Sequence, residues 1–199
     1  MLKSLPIAFS LLLSLGLCLQ VNAVSDSGDP PAVEHATPQK AINLNNEACH
    51  EIQKGHFDKA IPILLEALTL DPHYRFGRAN LAIVHNNNAL RLNNSGDKKG
   101  ALKEFHIAGF VAPPAERKVN EENIEALLKM MNLDAGKFSD RVKLGDEALK
   151  DGDLIGALFE YRAALALQSD PNIKAKLDQA VARLKVTDKL MSEIDSAHL

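Results

Sequence analysis

Histidines, cysteines and carboxylates are the side chains that do catalytic and metal chemistry, and in this sequence their spacings stop short of it. His50-Glu51-Ile52-Gln53-Lys54 begins as the zinc-binding pattern H-E-x-x-H does, but Lys54 stands where the second histidine must be. A metal gripped from one helical face needs imidazoles at both i and i+4. Cys49-His50 ends as a haem-attachment C-x-x-C-H does, with Asn46 in place of the first cysteine. Phosphate-binding glycine-lysine loops, dinucleotide fingerprints and G-x-S-x-G elbows are all missing. The 7 histidines and 26 acidic residues bring no nucleophile, base and orienting group to a suggestive spacing. The expectation is a chain with no catalytic residues, no metal site and no cofactor.

The two cysteines read differently from each other. Residues 1–23 have the form of a secretory leader: Lys3 supplies the positive charge, Ile7 to Leu19 the apolar stretch, and Val21-Asn22-Ala23 a small-residue cleavage site. Cleavage after Ala23 predicts an exported protein, periplasmic or secreted, with no membrane span left afterwards. A lipoprotein signal at Cys18 is rejected because Leu17, just before it, is too large. Cys18 would leave with the leader, so the mature chain would keep Cys49 alone, without an internal partner. A buried thiol is then the expected state, with pairing to a second molecule as the alternative.

The elements that position these residues announce themselves by repetition. Gly55, Ala60, Leu64 and Ala67 return as Gly96, Ala101, Phe105 and Ala108, and again as Gly152, Ala157, Tyr161 and Ala164. Glycine disfavours a helix interior but suits the left-handed position that closes one. Each glycine therefore ends a first helix, and the residues after it open a second. The following Ala, large residue and Ala lie at i, i+4 and i+7 on one face, where small side chains admit a neighbouring helix closely. One such hairpin cannot bury its apolar face alone, whereas a stack of them can.

The pattern resembles the tetratricopeptide repeat, a helix-turn-helix unit that stacks into a solenoid and binds other proteins. Repeat one also has Leu44, Ala48, Phe57 and Pro72 where the family has a large residue, a small one, an aromatic and a proline. The resemblance implies an all-α solenoid with repeats at about 41–72, 73–114 and 138–171. Between the last two, a helix is inserted at 120–133, from Glu121 to Asn132 with Gly136 as its stop. Residues 24–40, rich in Pro, Ser and charge, read as a tether, and 172–199 as a capping helix and tail. Ala60 and Ala101 are 41 residues apart, two helical turns more than the family period of about 34. The excess is assigned to the first helix of repeat two, expected from Tyr74 to Asn93 and projecting beyond its neighbours.

Function follows from the same resemblance. First helices would line a concave groove, and the positions facing it would be Asn45 and Cys49 in repeat one, Asn86, Leu90 and Asn93 in repeat two, and Lys143 and Asp146 in repeat three. Asn86, Leu90 and Asn93 fall at i, i+4 and i+7, one stripe whose carboxamides suit the backbone of an extended peptide. A carboxylate clamp found in some members would need Asn45, Cys49, Asn87, Ser139 and Lys143 to match, and of these Asn87 and Lys143 do. The net charge of −3, the 5% aromatic content and the absence of Trp give no footprint for nucleic acid. The sequence therefore predicts a non-catalytic scaffold or adaptor holding a partner protein or extended peptide. A self-assembling subunit of an extracytoplasmic complex, or an enzyme or small-ligand binder, is the alternative.

Overall fold

Three glycines set the rhythm of the chain. Gly55, Gly96 and Gly152 have φ of +76°, +91° and +76°, the left-handed region that side-chain-bearing residues avoid. Each closes a helix in the same way. The amide of the next residue reaches back to a carbonyl five residues earlier: His56 to Glu51, Asp97 to Leu92, and Asp153 to Ala148, at 2.8–3.0 Å. Asp97 and Asp153 then serve the helix that follows, their carboxylates accepting from the Gly100 and Gly156 amides. The same turn thus ends a helix three times, and in the second and third its aspartate also caps the next.

The computed structural model describes Cys18 and residues 37–196. The rest of the leader at 1–23 and of the tether up to residue 36 lie outside the described residues. The helices are α1 (Gln39–Gln53), α2 (Phe57–Leu70), α3 (Arg75–Asn94), α4 (Lys98–Val111), α5 (Arg117–Met130), α6 (Phe138–Lys150), α7 (Leu154–Leu167), α8 (Pro171–Thr187) and α9 (Lys189–Ser196). Among the described residues there is no strand, and the fold is an all-α solenoid of helix-turn-helix units packed against their neighbours in order. No helix among them is long and apolar enough to cross a membrane.

The repeated small and large residues are the seams of the paired helices. Ala60, Leu64 and Ala67 in α2, Ala101, Phe105 and Ala108 in α4, and Ala157, Tyr161 and Ala164 in α7 are all buried. In the third pair a glycine faces the large residue. A Cβ on Gly145 of α6 would lie 2.6 Å from the Tyr161 ring, so only glycine fits opposite that tyrosine.

Several boundaries differ from the sequence reading, each for a visible reason. The inserted helix α5 stops at Met130, because Asn132 takes the left-handed conformation (φ 59°) ahead of Gly136. α3 begins one residue after the expected Tyr74, and Asp71-Pro72 lies outside it. The Asp71 carboxylate instead accepts from the His73 amide in a turn, and the helix begins at Arg75. The two additional turns of α3 do not project into solvent: Gly77, Arg78, Ala79, Asn80 and Leu81 are buried. The tail forms α9, which packs back onto α4 and buries Met191 and Ile194 in the main core. Repeat three is also joined unconventionally, because α7 packs on α4 more closely than α6 does.

Gly145→Ala should therefore lower stability by about 1–3 kcal/mol, the cost of overpacking a filled core. Gly55→Ala, whose Cβ meets nothing within 4 Å, should cost only the left-handed backbone penalty, about 1–2 kcal/mol. Urea unfolding of both variants, with far-UV circular dichroism as the readout, measures the difference.

Candidate functional site

The centre of the inner layer is α3, a helix buried on nearly every side. Four of its polar side chains are buried, and each must find a partner within the protein. Arg78 donates from Nε to the Val111 carbonyl (2.9 Å) and from Nη2 to that of Ala112 (3.3 Å). It thereby satisfies carbonyls that the end of α4 leaves open, and its positive charge meets the negative end of that helix. Burial pushes the guanidinium below its ordinary pKa, with Arg117 adding to the effect. His85 sets Nδ1 2.7 Å from Glu104 Oε2 on α4.

The other two are asparagines, and they form the same link twice. Asn80 Nδ2 donates to Asn45 Oδ1 on α1 at 2.8 Å. Asn123 Nδ2 on α5 donates to Asn86 Oδ1 on α3, also at 2.8 Å. Asn45 and Asn86 thus hold equivalent places, each accepting from the next inner helix along the stack. These carboxamides are engaged in joining α1, α3 and α5.

The expected groove residues consequently fall into three separate places. Asn86, Leu90 and Asn93 lie against α5, where Leu90 joins the cluster of Ile124, Leu127 and Leu128. The Asn93 Oδ1 is buried there without a hydrogen bond. Lys143 and Asp146 are exposed on α6, remote in the stack from α1. Asp146 accepts from Tyr161 Oη (2.7 Å) and Lys176 Nζ (2.6 Å). Burial opposes its ionisation, but these two bonds outweigh that and hold its carboxyl below the usual range. Asn45 and Cys49, both buried on α1, make the third place.

Around those two the structure departs most from the sequence reading. Cys49 is wholly buried, but it is not a free thiol: it forms a disulfide with Cys18, 31 residues earlier. Cys18 packs against the main core, so the segment expected to leave with the leader is bonded to the inner layer. Asn80 Nδ2 lies 3.4 Å from the Cys49 sulfur, bringing α3 to the same spot. Asn46, Cys49 and Ile42 lie on one side of α1 at helical spacing, and Asn46 Oδ1 is buried with no hydrogen bond made. The site is a patch of α1 and α3 with an amide cluster, an unsatisfied acceptor and Cys18 bonded to it.

Two other places bear on chemistry. His106, Glu160 and Arg141 form a buried ionic network, with Glu160 oxygens 2.7 Å from His106 Nε2 and 2.9 Å from Arg141 Nη1. His106 also borders a cleft of about 290 Å³ between α4, α6 and the start of α7. That wall carries Lys99, Lys103, Glu147, Asp151 and Asp153 but no serine, threonine or cysteine to act as a nucleophile. In the broken zinc pattern, Glu51 is paired with Lys54 and His56, whose hydrogen bonds take its pKa to about 2. Among the described residues no three His, Cys, Asp or Glu side chains gather as metal ligands would. Comparison of the chain with protein-family models, curated proteins and solved structures finds no match.

Sequence reasoning missed Asn46, Asn80, Asn123 and Cys18. Asn80 falls in the two added turns of α3, where no repeat position exists to compare it with. Cys18 was set aside with the leader. Equal spacing of Asn45 and Asn86 in their repeats was the one signal of the inner amide links.

The Glu160 network yields a pH prediction. Burial opposes its ionisation, yet His106 and Arg141 prevail and hold the carboxyl below its ordinary value of 4.5. A depressed folded pKa contributes stability above the unfolded value and loses it as pH falls through the folded one. Glu160→Gln should then cost on the order of 3 kcal/mol near neutrality, because it leaves a buried arginine uncompensated. The gap between wild type and variant should close as pH is lowered beneath about 4.5, which urea titrations from pH 7 to pH 3 would follow.

Proposed function

We propose that this protein is an exported, non-catalytic scaffold resembling tetratricopeptide proteins, which holds a partner's polypeptide segment against the α1–α3 face. The observation that carries this reading is Cys18: a residue remote in sequence is held there, bonded to Cys49. Asn46 Oδ1, three residues before Cys49 on α1, makes no hydrogen bond, and a carboxamide acceptor of this kind suits a peptide amide. Three helix pairs closed by one turn, each seamed by the same small-large-small pattern, support the family likeness. A disulfide within the chain supports an oxidising, extracytoplasmic setting, since such bonds are rare where thiols are kept reduced. His106 is held in the buried ionic network with Glu160 and Arg141, which supports a structural role for it.

The stripe of Asn86, Leu90 and Asn93 is not where a groove variant belongs, because arginine there would break the α3–α5 packing. Asn46→Arg is the better probe. Full-length protein used as bait in native extract should retain a partner that Asn46→Arg loses by about tenfold or more, as for a central contact. Lys143→Glu on α6 should retain it unchanged. Equal retention by wild type and Asn46→Arg would remove the partner from this face.

A further inference from the structure

The cleft beside His106 carries charges of both signs that do not meet. Lys99 and Lys103 stand one helical turn apart on α4, and Glu147 and Asp151 one turn apart at the end of α6, around a space of about 290 Å³. All four are exposed. Among the described residues, none of the four side chains makes an ion pair or a hydrogen bond. Where the cleft meets the start of α7, two acceptors are left over. His106 is 3% exposed and has Nε2 on the Glu160 carboxylate, so in the neutral ring Nδ1 is an acceptor without a partner. Asp153 uses Oδ1 on the Gly156 amide, which leaves Oδ2. Both atoms flank the bare Cα of Gly156: a Cβ there would lie 2.6 Å from Asp153 Oδ2 and 3.1 Å from His106 Nδ1.

The geometry points to a binding site in this cleft for a small zwitterion with an apolar body, the class of the free apolar amino acids. An ammonium has three donors, enough to serve Asp153 Oδ2 and His106 Nδ1 together, with the Glu147 and Asp151 charges nearby. Lys103 is three residues before His106 on the same face of α4, and its long side chain can reach the carboxylate borne by the same ligand carbon. Leu102, Met131, Leu144 and Ala148 supply an apolar wall for the ligand's side chain. A simple amine would leave the lysines unmet, and a simple acid would face the carboxylates. The site is built on α4, α6 and α7, so it stands whether or not the α1–α3 face holds a polypeptide.

The test is an NMR titration of full-length protein that follows backbone amides as L-leucine is added to about 10 mM, which reveals affinities in the millimolar range. Leucinamide, which lacks the carboxylate, and N-acetyl-leucine, which lacks the ammonium, are the matched probes. Leucine should shift the amides of Leu102, Leu144 and Ala148 and bind about tenfold tighter than either analogue. Lys103→Gln and Glu147→Gln change exposed side chains and leave the core intact. Each should weaken leucine binding about fivefold or more. No shift with leucine, shifts confined to other helices, an analogue that binds as well as leucine, or full affinity in either variant overturns the site.

Discussion

The structure depends on satisfying the polar side chains of a helix buried on nearly every side. Arg78, Asn80, His85 and Asn86 of α3 are all buried, and a buried polar group without a partner costs about 1–3 kcal/mol. Each is met by a different neighbour: the carbonyl end of α4, Asn45 of α1, Glu104 of α4 and Asn123 of α5. These bonds have geometric preferences that apolar packing lacks, so they fix the positions of three surrounding helices relative to α3. Asn80 extends the same constraint to Cys49, and so to the one place where a distant part of the chain is covalently held.

Beyond α4 the regular stack gives way, and the ionic network explains how the chain continues. The inserted α5 packs on α4 where the first helix of another pair would be expected, so α6 cannot take that place. Instead α7 comes against α4, joined to it by the bond between His106 and Glu160. Arg141 of α6 completes the network and also donates to the Ala135 carbonyl in the preceding loop. A wholly buried carboxylate shared by three helices makes this junction specific in geometry. Farther along, Arg162 on α7 makes a two-pronged contact with Asp195, so α9 is tied to the stack as well.

Much of the architecture was legible because local chemistry dictates it. The three glycines and the Ala-large-Ala seams each specify a conformation from a few adjacent residues. The candidate site was legible only in part. Helical spacing puts Asn86, Leu90 and Asn93 on one side of α3, but spacing cannot tell which side another helix will cover. That required knowing that the inserted α5 packs there. Asn45 and Cys49 were identified from repeat positions, while their partners Asn80 and Cys18 lie in a non-repeated extension and an apparent leader. Long-range pairing of this kind leaves no periodic trace.

The most direct measurement is disulfide mapping of the purified full-length protein, digested without reductant and read by mass spectrometry together with its N-terminal residue. The account predicts a linked peptide pair joining Cys18 to Cys49, which separates on reduction. A chain beginning at Val24, with Cys49 recovered as a free thiol, would contradict it.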